Sequence, residues 1–460
     1  MAKSIKRTLL VSVAVVALAV GTAATIGPAQ AISLNEVVDR TVSTHPEIAA
    51  IKSNRRAIDQ ELRAARGQYL PSVDLRGAFG HEWTNNPTTR TRSGRVDGET
   101  GWVDMNRYEA GVTVRQLLFD GLGTFYDVDR NKGRVESAQN RVRDTAQAVA
   151  LRAVEAYLEV QRAREVERIA VANVKIHEQI LGRVAQRSTA GRGAESDVDQ
   201  ARARVAAAKV SLASARNKVE DAIAAYRAVV GEMPEGLDNV APPELELPPN
   251  VDEATNYSLE NAPSIAAAAA DVKAAMANVG VADARFFPVV TAEAAANWNH
   301  GIDAIRGRQQ DFSMLLVARW NVYRGGIDLA RKREAVARME EARDTLEKTR
   351  REVVQQVRFS WNAMNAARER RLSVRAQLES NKKVSTAYSL QYDRGRRTLL
   401  DLLDIQNEIF INRTNLVTED FTVKFGVFRT LATMGKLFKV LGTQLPDEAV
   451  RAPRSTLLSE

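Results

Sequence analysis

Cysteine is absent from this 460-residue chain, which excludes a disulfide framework, a thiolate metal site and a lipid-modified N-terminal cysteine. Histidine is scarce. His45, His81, His177 and His300 stand apart, with no i, i+4 pair and no glutamate-flanked motif, so no metal site is expected. Nucleophile elbows and phosphate-binding loops are also missing, and neither a cofactor nor an enzymatic activity is expected. The chain has no large excess of one charge, since 65 Lys and Arg face 57 Asp and Glu for a net +8. The signs alternate, as in Arg164-Glu165-Val166-Glu167-Arg168 and Arg331-Lys332-Arg333-Glu334. Such alternation marks solvated helix faces rather than a nucleic-acid stripe, and no nucleic-acid partner is expected. Proline does not occur from Thr88 to Met233 or from Val289 to Gln444, which leaves room for very long helices.

Long apolar runs are few. The one that approaches spanning length, Leu9 to Ile26, follows Lys3, Lys6 and Arg7 and precedes Ala29-Gln30-Ala31. Residues 1–31 are read as an export signal cleaved after Ala31, with an uncleaved membrane anchor as the alternative. No other run reaches that length, so no transmembrane helix is expected in the mature chain.

What the sequence does contain is a duplication. Ile48, Ala49, Ala50, Ala65, Pro71 and Val73 recur 217 positions later as Ile265, Ala266, Ala267, Ala282, Pro288 and Val290. Gly121, Ala138, Val149, Arg164, Gly191, Asp197 and Gly231 recur 204 positions later as Gly325, Ala342, Val353, Arg368, Gly395, Asp401 and Gly435. The length difference falls between Pro71 and Gly121, and everything else is held fixed, as matched dimensions require. The repeats are placed at 32–237 and 255–437, joined by a linker at 238–254 and followed by a tail at 438–460.

Each repeat begins with a helical pattern and then switches to a period of two. Val73, Leu75 and Phe79 alternate with polar residues, and Tyr108, Ala110, Val112 and Val114 alternate again, predicting strands near 69–83 and 108–120 around a polar loop at 84–107. The second repeat predicts strands near 286–298 and 310–324 around a shorter loop at 299–309. These strands have the length that crosses a bilayer when tilted, and Tyr69, Trp83, Tyr108, Phe286, Trp298 and Trp320 near their ends suit interfacial girdles. Four strands cannot close a barrel, and an open sheet edge is not tolerated in lipid, so several chains would have to share one.

After Gly121 the period becomes helical. Val135, Ala138, Val142, Ala146, Val149, Ala153, Ala156 and Val160 step by threes and fours, a coiled-coil seam of small residues. Helices from about Thr124 to Ser188 and from about Ile327 to Tyr392 would each reach roughly 100 Å at 1.5 Å per residue. Glycine-containing turns end both, placing hairpin tips at 189–197 and 393–401, and a shorter helix returns from each. A returning helix plus the leading helix of a repeat nearly equals one long helix, so two short helices stacked end to end would run beside each long one.

The junctions Leu117-Leu118-Phe119-Asp120-Gly121 and Asn321-Val322-Tyr323-Arg324-Gly325-Gly326, with the tips Gly191-Arg192-Gly193-Ala194-Glu195-Ser196-Asp197 and Gly395-Arg396-Arg397-Thr398-Leu399-Leu400-Asp401, resemble those of the TolC-type outer-membrane efflux and type I secretion proteins. The resemblance implies a mainly α protein with a transmembrane β-barrel part: a homotrimer whose 12-strand β-barrel continues into a 12-helix α-barrel crossing the periplasm of a Gram-negative cell. It implies outer-membrane lipid around the barrel, and a periplasmic adaptor with an inner-membrane ABC or RND-type pump at the tips, where Gly191 and Gly395 form the turns. It places a gate network on Tyr392, Arg397, Ser196 and Asp197, and a cation-selective constriction on Asp401 and Asp404, one helical turn apart, with helix capping by first-turn acids as the alternative for Asp197 and Asp401. Arg396 beside Arg397 departs from the family pattern and leaves open which arginine makes the gate contact. The missing lipid-modified cysteine leans towards the branch serving type I protein secretion and some drug pumps. The alternative is a periplasmic coiled-coil adaptor or scaffold without a pore, which gives no reason for paired bilayer-length strands.

Overall fold

The structure, a computed structural model, describes residues 32–450 apart from 86, 88–101 and 304. The signal segment 1–31, most of the loop 84–107 and the end of the tail lie outside the described residues.

The first repeat opens with α1 (Leu34–Thr44) and α2 (Pro46–Gly67), and the second with α5 (Val251–Asn261) and α6 (Pro263–Ala284). One continuous leading helix was expected in each. The break comes at His45-Pro46 and Ala262-Pro263, where proline at N1 starts a new helix and holds the preceding residue extended, with ψ of 127° and 125°. Ser33 and Asn250 cap the first helix of each pair by accepting the amides of Glu36 and Glu253.

Strands β1 (Ser72–Thr84), β2 (Val103–Phe119), β3 (Val289–Ile302) and β4 (Ile305–Arg319) form one antiparallel sheet in sequence order, with β1 and β4 at open edges. Its second hairpin corrects the expected loop at 299–309. Most of that stretch is strand, with Asn299 opposite Gln309 and His300 opposite Arg308. At the other end β4 stops at Arg319 rather than 324, because Arg319 already faces Val289, the first residue of β3, and residues beyond it have no strand in the chain to pair with.

The register sorts the two faces of the sheet. One carries Leu75, Phe79, Phe312, Met314 and Leu316, all 71–79% exposed in the single chain. The other carries ion pairs, among them Arg107 to Glu82 at 2.8 Å and Arg115 to Glu293 at 3.0 Å across β2 and β3. An exposed apolar face and a charged opposite face, alternating along the strands, is the two-sided pattern that a membrane barrel wall requires.

The helices form a second layer of columns. Helix α3 (Gly123–Thr189) turns into α4 (Glu195–Val230), and α7 (Ile327–Asp393) turns into α8 (Leu399–Thr433); α3 and α7 have 67 residues each. Helix α3 packs against α2, α4, α6 and α8, and α7 against α5, α6 and α8, so the columns run α2 with α4, α3, α6 with α8, then α7. Seam residues Val142, Ala146, Val149, Ala153 and Val160 of α3 are fully buried. Small side chains let the axes approach. At Gly133 an added Cβ would lie 2.9 Å from the Ala274 backbone nitrogen of α6, so no larger residue fits without parting the helices. The central column α3 is buried from Thr124 to Val184, whereas α7, at the edge, buries only scattered positions such as Ala335, Val357, Met364 and Leu378.

The linker returns across the middle of α3, where the Tyr157 hydroxyl lies 3.0 Å from the Ile32 carbonyl and 2.9 Å from that of Asp238. Burial pushes this phenol up to about 12, so it remains a donor at any physiological pH. The tail forms α9 (Leu437–Leu441) and α10 (Asp447–Val450), and the Ala449 carbonyl accepts from Gln139 and Arg143 of α3. The stretch Val251–Ala284 is apolar enough in composition to span a bilayer, contrary to expectation, but Pro263 divides it and it packs along α3 and α7.

Candidate functional site

The two hairpin tips are built alike. At the end of α3 the Gly191 amide donates to the Ser188 carbonyl and the Arg192 amide to that of Arg187; at the end of α7 Gly395 donates to Tyr392 and Arg396 to Gln391. Both closures need a left-handed residue, and Gly191 and Gly395 supply it at φ +71° and +72°. No atom lies within 4 Å of a Cβ added to either, so the requirement is conformational rather than steric.

The returning helices start differently. Ala194 offers α4 no side-chain cap, whereas Thr398 and Asp401 form a reciprocal capping box on α8. The Asp401 carboxylate accepts the Thr398 hydroxyl at 2.8 Å and the Thr398 amide at 3.3 Å, with the Arg397 guanidinium 3.6 Å away. These contacts, the Thr398 hydroxyl foremost, hold the Asp401 carboxyl below the usual aspartate range.

Both tips share one apolar cluster in which Ile180, Val184 and Val198 of the first hairpin meet Leu378, Tyr392, Leu399 and Leu402 of the second. Tyr392 is its polar-tipped member. The Arg187 guanidinium lies 4.9 Å over the Tyr392 ring while its Nη1 donates to the Tyr392 carbonyl at 3.0 Å. Burial raises the Tyr392 phenol; Arg187 opposes that rise and the nearby Asp197 adds to it. Tyr392 and Asp197 are thus brought into electrostatic range.

Arg397 stays within its own tip. It lies 4.4 Å over the Tyr388 ring, donates to Gln391 Oε1 at 3.2 Å and faces Asp401. Among the described residues, neither it nor the Tyr392 hydroxyl hydrogen-bonds Ser196 or Asp197 within one chain. Ser196 and Arg396 are exposed. Asp404, one turn beyond Asp401, pairs instead with Arg204 of α4 at 2.8 Å. Arg187, Tyr388 and Arg204 escaped the sequence reading, because nothing local marks them. The capping box does carry a local signal, the Thr398-Leu399-Leu400-Asp401 spacing at a helix start.

Comparison with known proteins gives a consistent result. Residues 37–232 and 255–420 match the outer membrane efflux protein family. The outer membrane efflux protein BepC of Brucella suis is 26% identical over 456 residues, covering 95% of this chain and 94% of BepC. The outer membrane protein TolC of Escherichia coli is 23% identical, covering 89% of this chain and 83% of TolC. Among solved structures, the outer membrane protein VceC of Vibrio cholerae superimposes with a TM-score of 0.73 at 17% identity, over 90% of this chain and 97% of VceC.

Proposed function

Because the chain belongs to the outer membrane efflux protein family and resides in the outer membrane, we propose that three copies form one exit duct of a tripartite efflux or type I secretion system. The observation that carries this reading is the sheet: four strands with an exposed apolar face, a charged opposite face and two unpaired edges. In lipid such edges must close, and β4 of one copy against β1 of the next gives a 12-strand barrel from three chains. The four helical columns, with α7 open at one edge and α2 with α4 at the other, close in the same way into a 12-helix tube.

The tube ends at the tips, where Asp401 and Asp404 of three chains form an acidic ring that favours cations and binds multivalent ones. Tyr392 joins the two hairpins of each copy through their shared apolar cluster, and Arg397, Ser196 and Asp197 hold them against the neighbouring copy. Docking of a periplasmic adaptor and an inner-membrane ABC or RND-type pump at the turns around Gly191 and Gly395 parts the hairpins. The duct performs no chemistry of its own.

The test is single-channel conductance of the purified mature trimer in a planar bilayer. A small cation-selective conductance, losing selectivity and multivalent-cation block in Asp401→Ala/Asp404→Ala, supports the duct. A well-folded protein that conducts nothing would leave a coiled-coil scaffold as the better account.

A further inference from the structure

We propose that Arg204 masks Asp404 in the closed tip, so that the acidic ring gains charge when the hairpins part. The inference rests on the duct reading above and adds a residue that determines its selectivity.

Arg204 stands two helical turns past Asp197 on α4, and its Nη2 lies 2.8 Å from Asp404 Oδ1 on α8, the length of a charge-assisted bond. Among the described residues this is the one salt bridge between the first hairpin, α3 with α4, and the second, α7 with α8. Lys209 to Glu178 and Arg216 to Glu167 stay inside the first hairpin; Arg370 to Glu419 and Arg371 to Asp420 stay inside the second.

The two carboxylates of the ring therefore differ in what a hairpin movement does to them. The partners of Asp401, Thr398 and Arg397, belong to its own tip and travel with it. The partner of Asp404 belongs to the other hairpin and is left behind. Closed, the three Asp404 carboxylates are masked by Arg204 of the other hairpin; open, they lose that partner, while the three Asp401 keep Arg397 beside them. Side-chain exposures of 36% for Arg204 and 54% for Asp404 keep the pair screened by water. Its hold is accordingly weak, as a contact that must break on docking requires.

The duplication does not impose this pair. The positions 204 residues away are Glu408 for Arg204 and Gln200 for Asp404. Glu408 accepts from Asn381 within its own hairpin. Only one of the two symmetry-related places carries a cation against an acid.

Planar-bilayer recordings of the purified trimer would compare wild type with Arg204→Gln, Arg204→Lys, Asp404→Asn and Arg204→Gln/Asp404→Asn, each checked first for trimer formation. Arg204→Gln should raise closed-state cation-over-anion permeability, as three Asp404 carboxylates lose their masking charge, and raise conductance with it. Arg204→Lys should stay near wild type, and the double variant should lose the gain. Arg204→Gln with wild-type selectivity, in a channel that does respond to Asp401→Ala/Asp404→Ala, would overturn the masking role and leave the duct standing. A wild-type trimer without conductance would overturn both.

Discussion

Truncating Tyr392 to alanine should leave the duct leaking, whereas Tyr392→Phe should leave it closed. The ring is only 9% exposed and sits where the two hairpins share one apolar cluster. Removing a buried aromatic ring costs about 3–5 kcal/mol, and the guanidinium of Arg187 over its face adds about 0.5–1 kcal/mol more. That cost falls on the closed arrangement, in which both hairpins press on the ring. At about 1.4 kcal/mol per decade, the open-to-closed ratio of each copy should rise by roughly a hundredfold or more. Among the described residues the hydroxyl donates no hydrogen bond, so its removal should change the balance by less than about 0.5 kcal/mol. Conductance of purified trimers, and entry into cells of an antibiotic too large to cross a closed duct, would both report the difference. A phenylalanine variant as leaky as the alanine variant would refute the reasoning, because the hydroxyl rather than the packed ring would then be the latch.

The Asp401 carboxylate is held below the usual aspartate range, so its cap stabilises fully above about pH 3.9 and fades only as pH falls through that depressed value. Cation selectivity should therefore persist below pH 4 in Arg204→Gln/Asp404→Asn, and a loss already complete at pH 5 would contradict this. His177 of α3 is buried, its Nδ1 has no hydrogen-bond partner among the described residues, and burial together with Arg204 lowers its pKa. The unfolded chain then binds the proton more readily, so stability is full above about pH 6.5 and falls as pH drops through the lowered value. Thermal unfolding should lose less between pH 7.5 and pH 5 in His177→Gln than in wild type; equal losses would remove the histidine from the account. Gly395→Ala must hold a left-handed residue with a Cβ, at a cost of about 1–2 kcal/mol. It should loosen the second tip with no change in trimer yield, and a tip as tightly closed as wild type would show that the turn tolerates the strain.

The long helices were legible because the seam from Val135 to Val160 repeats its small apolar residues without a break, and burial rewards that period directly. The breaks at Pro46 and Pro263 were not, since helical composition continues on both sides and proline is at home in a first turn. Residues 299–309 read as loop because Gly301 and Gly307 interrupt the stretch and Ile302-Asp303-Ala304-Ile305-Arg306 between them shows no alternation. A strand that runs beyond the bilayer has water on both faces, and the amphipathic signal that reveals strands elsewhere is then lost. At the tips, glycine spacing located the turns, yet the partners of Tyr392 and Asp404 lay outside sequence reasoning. Arg187 is 205 positions from Tyr392 and Arg204 is 200 from Asp404, and only the folding of one hairpin onto the other makes them neighbours.

The equal 67 residues of α3 and α7 make the chain a ruler. One residue inserted into either would turn everything beyond it by about 100° and carry seam positions out of the interface. The same insertion would misalign the end-to-end joint of the shorter helices alongside. Length can change only in whole heptads of about 10 Å, made together in both long helices and in the stacked columns beside them. The spacing between the outer membrane and whatever meets the tips is thereby quantised, and a cell envelope of another thickness would call for a matched set of changes rather than a drift.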